Sequence, residues 1–579
     1  MKRAAWWFLA AFIAALYLGS SAVPVLFDET EGQYAGAARE MLQRGEWLLP
    51  TNNGLPRLQK PPLLYWVILL SYKAFGVSEF AARLPNALAC LAWIFGTALV
   101  GRCVNGWRLG AYAALLLATS FGFFIFGHLI MPEPFLGACV TFAFWCLLRA
   151  LRTPEREAAW FRGAWFFMAL GTLLKGPHGF LYPVLALGGA ALFSEKFAGL
   201  WRRFWSWRRV LLFLVAVAPW YLAMETRFPG FLHENFVNEQ VGHLLNARFP
   251  PDSRAVPSLI FWGQHLLYFF PWALFVPAVV WAWHRPEPCE EVGHDAARLL
   301  WAWIAVTVVS VAFSARQDYY TMTCWSAVAV ALARPWAREE AVPRRYWVVP
   351  CVLMMLAGLV GVALWPRIDF LMAESTFEVD PVAERDTLWN ALHGSTFGGW
   401  SEFVPLMKAA GLILLAGGAV SVFLAWKKRA ALAARAVALV MLGLLVLAAR
   451  GLALKGEYYS LARAVDGIKA AAEPEAMVVY DGEPHLAASL FFYLDRPASW
   501  VNATPSIEFA VRHFGIGAEN FLERAAFRKA WGSSRQVFLI TEKEGLAGWA
   551  SDLGLDERQL TPVGRSGTRV AIANRPARR

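Results

Sequence analysis

Charged residues are scarce in this sequence, at 17% of its 579 residues, whereas hydrophobic residues make up 58%. A soluble domain is nearer to a quarter charged, so the composition excludes an ordinary water-soluble protein. Apolar runs of about 20 residues recur along most of the chain, enough to cross a bilayer as helices. The period-2 alternation of membrane strands is missing. The sequence therefore predicts a polytopic α-helical membrane protein.

Cysteine is also sparse, with seven residues, no CxxC pair and none in the last hundred residues. This pattern excludes a disulfide framework or a zinc site built from cysteines, and favours small buried apolar side chains. Short-period repeats and low-complexity tracts are absent as well. The sequence also lacks two matching halves with interrupted helices, which are typical of many secondary transporters.

The net charge of +11 is carried largely by short basic loops. Clusters such as Arg202-Arg203, Arg208-Arg209 and Lys427-Lys428-Arg429 lie between apolar runs. Basic residues in short cytoplasmic loops set the orientation of a membrane protein. We therefore expect membrane lipids as partners and no nucleic acid.

The amino-terminal Lys2-Arg3 precedes an apolar run that extends to about Leu26. This segment is either a cleaved signal peptide or a first span with a cytoplasmic N-terminus, and its length favours the span. Alternation from that start predicts about 13 transmembrane helices. The other twelve are expected at 81–101, 109–127, 134–151, 163–174, 179–194, 210–224, 258–283, 299–314, 319–333, 346–365, 403–425 and 432–454.

This topology divides the chain into two regions. Residues 1–455 form a transmembrane domain whose outer loops, 27–80, 225–257 and 366–402, include amphipathic helices. Residues 456–579 form a small α/β domain on the same outer side. Its predicted strands are the short β-like runs Met477–Tyr480, Leu490–Tyr493 and Gln536–Thr541, separated by turns and polar helical stretches.

Three carboxylates, Asp28, Glu29 and Glu31, follow the first span. Carboxylates at a membrane boundary must be hydrated, paired or used in function. An equally good interpretation is a helix N-terminus, in which Asp28 or Thr30 caps and the acids favour the helix dipole. Both interpretations stay open on these residues alone.

Cations stand at other predicted outer helix ends. Lys60 precedes Pro61-Pro62, Lys175 precedes Gly-Pro-His178, and Arg316 precedes Gln-Asp-Tyr319-Tyr320. Each one alone is better explained by snorkelling to the interface, but together they favour an anionic ligand. Glu133 lies between two prolines at a further boundary.

In chain order the motifs form a recognisable series. It comprises the acidic first loop, Ala38-Arg39-Glu40-Met41-Leu42, Gly45-Glu46-Trp47-Leu-Leu-Pro50, Lys60-Pro-Pro-Leu-Leu-Tyr65-Trp66, Phe75-Gly-Val-Ser-Glu79 through Arg83-Leu-Pro85, Lys175-Gly-Pro, Pro219-Trp-Tyr221 and Arg316-Gln-Asp-Tyr-Tyr. Over about residues 20 to 335 this series resembles the C-type membrane glycosyltransferases related to protein O-mannosyltransferases. It resembles in particular the bacterial branch that contains the lipid A aminoarabinose transferase.

The resemblance implies an inverting glycosyltransferase of the bacterial inner membrane, with its active site facing the periplasm. Such an enzyme takes a sugar from a polyprenyl-phosphate carrier and passes it to lipid A, another envelope glycan or lipid, or a protein. The alternative is a polyprenyl-lipid-binding protein or a lipid transporter or flippase without transferase activity.

The resemblance also implies roles for single residues. The key acid is expected at Asp28, with Glu31 as rival because another register aligns Thr30 and Glu31 with the family's Asp-Glu pair; Glu133 occupies the second acidic position. Lys60, Lys175 and Arg316 are expected to bind the donor phosphate. The head-group pocket is expected to include Tyr34, Tyr65, Tyr319, Tyr320 and Glu239.

Relatives in this branch can hold a divalent metal through a Glu and a His. The corresponding positions here are Gln59 and Gln240. The sequence therefore predicts no metal at that site and no certain cofactor.

Overall fold

The structure, a computed structural model, describes residues 2–242, 245, 247–249, 256–284, 291–314, 316–337, 342–365, 400–456, 458–505 and 508–575. Most of the predicted loop 366–402 and part of the predicted loop 225–257 lie outside these residues. The described chain is mostly helical, with one small sheet near its C-terminus. The predicted fold class, a polytopic helical membrane protein with a small C-terminal α/β domain, is confirmed.

Seventeen helices are described in the membrane region and its loops. They are α1 (Lys2–Ser20), α2 (Thr30–Arg44), α3 (Leu63–Phe75), α4 (Glu79–Ala118), α5 (Phe121–Gly127), α6 (Pro132–Arg152), α7 (Glu157–Lys175), α8 (His178–Leu192), α9 (Glu195–Phe204), α10 (Trp207–Arg227), α11 (Ser258–Tyr268), α12 (Val276–Trp283), α13 (Glu291–Ala312), α14 (Trp325–Ala337), α15 (Arg345–Ala363), α16 (Trp400–Trp426) and α17 (Ala430–Gly456). A π-helix (His233–Gly242) and three 3-10 turns (Pro154–Arg156, Trp272–Phe275 and Tyr320–Cys324) lie between them.

Seven helices within the described residues are long and apolar enough to cross a membrane. They lie in α4, α6, α10, α13, α15, α16 and α17. The pair α11 and α12 makes an eighth if it counts as one span, although it bends by 94°. The prediction of about 13 spans stays a prediction, because the count rests on length and composition and leaves out shorter apolar helices such as α1 and α8.

Several predicted spans differ in shape from straight helices. The predicted 258–283 span is broken into α11 and α12 by the 3-10 turn Trp272–Phe275, which directly follows Pro271. The predicted 319–333 span begins instead as the 3-10 turn Tyr320–Cys324 and continues as α14. Helix α4 contains the predicted 81–101 span and the first part of the predicted 109–127 span, whose end forms α5. It is interrupted at Asn105 and Gly106, and Gly106 adopts a positive φ of 74° that glycine tolerates.

The first loop folds into α2, a two-residue hairpin (β1, Thr51–Asn52; β2, Leu55–Pro56) and α3. Helix α2 ends at Gly45, which adopts a left-handed φ of 68°; its N–H donates to the carbonyl of Leu42, and the N–H of Glu46 donates to the carbonyl of Met41. The α2 face that carries Tyr34, Ala35 and Ala38 packs against α3. The predicted helical loop is therefore a packed layer on one end of the bundle.

The C-terminal domain is a six-stranded sheet with flanking helices. Its strands are β3 (Met477–Asp481), β4 (Ala498–Val501), β5 (Phe521–Leu522), β6 (Val537–Glu542), β7 (Thr561–Ser566) and β8 (Arg569–Ala573), and its helices are α18 (Ala462–Ala471), α19 (Leu490–Tyr493), α20 (Phe509–Phe514), α21 (Arg524–Trp531) and α22 (Leu546–Leu553). The strand order is β5-β4-β3-β6-β8-β7, parallel from β5 to β6 and antiparallel at β8 and β7.

The predicted strands at residues 477–480 and 536–541 correspond to β3 and β6, but the predicted strand at 490–493 is wrong. Leu490–Tyr493 forms the short helix α19. Leu490 faces the core of the C-terminal domain, whereas Phe492 packs among residues of α2 and α3. Because two domains bury this segment from opposite sides, tertiary contacts override the strand preference of its aromatic residues.

The C-terminal domain is fixed directly on α2. A Cβ at Gly32 would lie 2.3 Å from the backbone of Ala488, and one at Gly36 would lie 2.3 Å from Cβ of Phe491. Arg39 donates hydrogen bonds to the carbonyl groups of Phe492 and Leu494. The glycines therefore allow a backbone approach that any side chain would prevent.

Candidate functional site

A cavity with a volume of about 1360 Å³ lies between the π-helix, α8 and α13. One end is polar and contains Lys60, Glu133, Lys175, Glu239 and Arg248. The remainder is mostly apolar and follows α8 towards Trp201 and Arg202 of α9. Since α8 spans 15 residues, the apolar wall is about 20 Å long.

The apolar wall opens sideways. Leu181, Leu185, Leu192 and Val309 line the cavity and are nonetheless exposed, with Leu192 at 81%. In a membrane-spanning bundle these side chains face lipid, so the cavity is accessible to a long apolar chain from the side.

At the polar end, Lys175 and Glu133 form a direct hydrogen-bonded ion pair. Lys175 closes α7 and Glu133 lies in the first turn of α6, so each charge is next to the helix terminus that favours it. The ammonium group also lies 5.3 Å from the ring centre of Tyr319 and 4.8 Å from that of Tyr320. These four residues, all predicted for the site, meet in one wall of the cavity.

Lys60 and Glu239 complete the polar end. Nζ of Lys60 lies 3.6 Å from Oε2 of Glu239, while Arg248 donates to Oε1 of Glu239 at 2.9 and 2.6 Å. Burial lowers the pKa of Lys60, and the nearby positive charge of Lys175 lowers it further, against the opposing effect of Glu239. The two lysines are therefore close enough to act on one anion.

Glu239 is carried by the π-helix, which also presents Glu234 and Gln240. Such helices are rare and are found often at functional sites. Glu234 pairs with Arg512 of α20 at 3.2 Å, and Arg512 lies 4.9 Å from the Phe249 ring centre. This contact connects the wall of the cavity with the C-terminal domain.

Asp28 does not line the cavity. One carboxylate oxygen accepts the N–H of Ser489 at 2.9 Å, and the other lies 2.6 Å from Nη1 of Arg569 at the start of β8. Both side chains are almost fully buried, at 3% and 1% exposure. In this structure Asp28 holds the first loop to the C-terminal domain.

Glu31 is likewise engaged elsewhere. Its carboxylate accepts two hydrogen bonds from Arg83, at 2.8 and 2.6 Å, and the N–H groups of Phe27 and Ile130 at 3.0 and 3.1 Å. Four donors satisfy the buried carboxylate, which places Glu31 in an anchor that joins the first loop to α4 and to the residues before α6.

Tyr34 and Tyr65 lie beside the cavity around Arg57. Nε of Arg57 donates to the Tyr65 hydroxyl at 2.8 Å, and its guanidinium lies 5.1 Å from the ring centre of Tyr34. Burial raises the pKa of Tyr34, and the charge of Glu133 raises it as well. The two tyrosines thus form a neutral layer near Glu133.

Arg316 is turned towards a neighbouring loop. Its Nε donates to the carbonyl of Val256 at 3.1 Å, and its own carbonyl accepts the N–H of Val256 at 3.2 Å. Among the residues that line the cavity, Ser314 and Tyr319 are its nearest in sequence. The predicted role of Arg316 at the phosphate stays a prediction.

Sequence reasoning missed Arg57, Arg248, Glu508 and Arg512. Arg57 lies three residues before Lys60, and that basic pair in a loop rich in Leu and Pro was a usable signal. Glu508 precedes α20; burial raises its pKa, and Arg57 opposes that shift. Its position, like those of Arg248 and Arg512, depends on contacts between distant segments that no local pattern reveals.

The residues at the expected metal position do not suit a divalent cation. Oε1 of Gln59 accepts a hydrogen bond from Arg57, and the neighbouring Lys60 carries a further positive charge. Gln240 lies beside Gly176, since a Cβ built on that glycine would be 3.4 Å from Nε2 of Gln240. Within the described part of the chain no group of three or more His, Cys, Asp or Glu residues could hold a metal.

Comparison with known proteins agrees with this architecture. Residues 59–222 match the family model of dolichyl-phosphate-mannose-protein mannosyltransferases. An undecaprenyl phosphate-alpha-4-amino-4-deoxy-L-arabinose arabinosyl transferase of Shewanella sediminis is 26% identical over 56% of this chain and 58% of its own length. The enzyme of that name from Edwardsiella ictaluri is 26% identical over 70% of this chain and 72% of its own.

Two further similarities complete the comparison. An uncharacterised protein of Aquifex aeolicus is 33% identical over 36% of this chain, and the chain spans about half of its length. The crystal structure of ArnT from Cupriavidus metallidurans bound to undecaprenyl phosphate has a TM-score of 0.79 at 22% identity, covering 98% of this chain and 97% of that one. The resemblance to the C-type membrane glycosyltransferases is confirmed, and the solved structure establishes the common fold.

Proposed function

We propose that the protein is an inverting glycosyltransferase that moves a sugar from a polyprenyl-phosphate carrier to an acceptor at the periplasmic face of the inner membrane. The observation that carries the proposal is a cavity that has lysines at one end and an apolar wall about 20 Å long. A long-chain lipid phosphate has the same division into a small anionic head and an apolar tail.

The charge at the polar end supports a phosphate ligand. Three cations, Lys60, Lys175 and Arg248, lie there with two carboxylates, Glu133 and Glu239, which leaves an excess of one positive charge. A sugar–phosphate–lipid diester carries one negative charge, and the phosphate gains a second when its bond to the sugar breaks. Cations fixed around the leaving group stabilise that added charge most in the transition state.

The reaction is a single displacement. An acceptor oxygen attacks the anomeric carbon on the side opposite the phosphate, and the carbon–oxygen bond to the phosphate breaks with its electron pair leaving on the phosphate. Glu133 is the carboxylate closest to the lysines in the cavity wall, and so it is our candidate for contact with the acceptor.

Topology supports the periplasmic side. The basic pair Arg202-Arg203 lies in α9, and Arg202 lines the cavity beside the later part of α8, where Trp201 contacts Gly188, whereas Lys175 lies just before the start of α8. Basic loops favour the cytoplasm, which leaves the polar end of the cavity and the N-terminal loop helices outside.

The relatives narrow the substrates. Their names specify an undecaprenyl phosphate-linked 4-amino-4-deoxy-L-arabinose as donor. For this chain we propose the undecaprenyl-phosphate class of donor, with lipid A or another envelope glycan or lipid as acceptor. No metal takes part in this proposal, since the amide side chains of Gln59 and Gln240 replace the expected ligands.

The test is transfer of label from radiolabelled polyprenyl-phosphate sugars to membrane acceptors by the purified protein. Lys175→Met and Lys60→Met should each lose donor binding and transfer. Lys196→Met is the matched control, because Lys196 pairs with Asp295 outside the cavity and is 43% exposed. Donor binding without transfer across a broad acceptor panel would instead support a lipid-binding or transport protein.

A further inference from the structure

The pairing of the two cavity lysines is unequal. Lys175 has Glu133 as its hydrogen-bonded carboxylate partner, whereas Lys60 lies at a looser 3.6 Å from Glu239. Glu239 also holds Arg248 through two hydrogen bonds. If an anion drew both lysines towards itself, Glu239 would still be paired with Arg248, whereas Glu133 would lose its partner Lys175.

Glu133 already has one unused carboxylate oxygen. Its Oε1 accepts from Lys175, while Oε2 is buried and has no hydrogen-bond partner among the described residues. The whole side chain is 4% exposed and lines the cavity. A buried, unpaired carboxylate oxygen is costly unless a ligand supplies a donor to it.

The groups around Glu133 do not offer a replacement for Lys175. The rings of Tyr319 and Tyr320, centred 5.3 and 4.8 Å from the ammonium nitrogen of Lys175, carry no charge, and Tyr34 is kept neutral by a raised pKa. Lys60 is the next cation and is itself a phosphate candidate. A carboxylate released in this setting has both oxygens available to accept hydrogen bonds from a ligand.

We propose that the donor phosphate takes Lys175 away from Glu133, and that the released Glu133 carboxylate then accepts the proton of the acceptor hydroxyl. The inference rests on the proposed function and adds an order of events to it. The acceptor oxygen forms its bond to the anomeric carbon, its proton passes to Oε2 of Glu133, and the departing electron pair stays on the phosphate. Before donor binding, the same lysine keeps the base neutralised.

This arrangement makes Lys175 serve two partners in turn. It first stabilises the carboxylate in the free enzyme and then the leaving phosphate, so the two interactions compete. Competition of this kind predicts that removing the charge of Glu133 strengthens binding of the lipid phosphate while it weakens catalysis. A purely structural ion pair predicts that both binding and catalysis become weaker.

The experiment measures equilibrium binding of undecaprenyl phosphate and the rate of sugar transfer for the full-length protein and its Glu133→Gln variant. The glutamine keeps a carbonyl oxygen for Lys175 but has no charge. We expect binding to tighten by roughly fivefold, the worth of one modest ion pair. Transfer should fall by about 10²-fold or more, as for loss of a general base.

Three further variants make the outcome decisive. Glu133→Asp keeps the charge one methylene shorter and should retain wild-type binding with slower transfer. Glu157→Gln removes a carboxylate paired with Arg203 outside the cavity and should change neither quantity. Glu239→Gln tests whether the other cavity carboxylate is the base. The fall in transfer at low pH should remain in Glu239→Gln and disappear in Glu133→Gln.

The proposal is overturned if Glu133→Gln binds undecaprenyl phosphate no more tightly than the wild type, or if it transfers sugar at the wild-type rate. A wild-type protein that binds no undecaprenyl phosphate, or binds it and transfers nothing, overturns the proposed function instead. The two failures are therefore distinguished by the wild-type measurements alone.

Discussion

Substitution of Asp28 by asparagine tests whether this residue is an anchor or a catalytic acid. The asparagine keeps an oxygen for the N–H of Ser489 but removes the charge that faces Arg569 at 2.6 Å. Arg569 also donates to the carbonyl groups of Leu486 and Tyr458, at 3.1 and 3.2 Å. Those contacts hold the guanidinium in place without neutralising it.

The size of the effect follows from the burial of the pair. Removing one partner of a buried ion pair leaves an uncompensated charge and costs about 3–5 kcal/mol. If that cost falls on the contact between the first loop and the C-terminal domain, the separated state becomes roughly 10² to 5 × 10³ times more populated. Asp552→Asn is the control, because the Asp552–Arg524 pair is 36% and 57% exposed and is worth at most about 1 kcal/mol.

Hydrogen exchange of the first loop and of residues 484–494 reports the separation directly. We expect Asp28→Asn to lose protection in both segments, with transfer reduced in proportion, and Asp28→Asn/Arg569→Met to regain protection because no charge is left unpaired. The reasoning is refuted if Asp28→Asn abolishes transfer while protection is unchanged. Asp28 would then act on the chemistry itself.

The other predictions concern the remaining anchor, the phosphate site and the apolar wall. Glu31→Gln removes the charge of the carboxylate that accepts two hydrogen bonds from Arg83, and it should lower the free energy of unfolding by about 3–5 kcal/mol. The measurement is the loss of folded protein on heating in detergent. Unchanged stability with lost transfer would point to a catalytic role for Glu31. Burial lowers the pKa of Lys60, so affinity for undecaprenyl phosphate should fall as the pH rises through a value below the usual lysine range, and Lys60→Arg should remove that decline; a pH-independent wild type would contradict it. Leu185→Asn in the apolar wall should weaken binding of undecaprenyl phosphate about fivefold and leave a short-chain lipid phosphate unaffected, as measured by titration; equal loss for both lipids would show that the wall does not hold the tail.

The class of protein and the location of its elements were accessible from sequence. Long apolar runs specify membrane helices because lipid leaves the backbone no other way to satisfy its hydrogen bonds. The β-rich runs at 477–480 and 536–541 likewise correspond to central strands of the C-terminal sheet. The predicted elements differ from the structure where tertiary contacts decide the local conformation, as in α19 and in the bent pair α11 and α12.

The candidate site was predictable in part. Lys60, Glu133, Lys175, Tyr319, Tyr320 and Glu239 were expected together and lie together in the wall of one cavity. Their motifs stand at helix ends, and the helix ends of a bundle converge at one boundary of the membrane. The motif order therefore carried information about which groups share a surface.

The sequence by itself determined that carboxylates gather after the first span and that lysines stand at helix ends, since residue types and hydrophobic runs are local properties. Only the tertiary structure decided which carboxylates face the cavity. Asp28 and Glu31 are adjacent to the predicted pocket in sequence, yet Arg569 and Arg83 hold them in buried ion pairs. Such partners come from distant parts of the chain, and a buried charge must find its counter-charge wherever the fold places one.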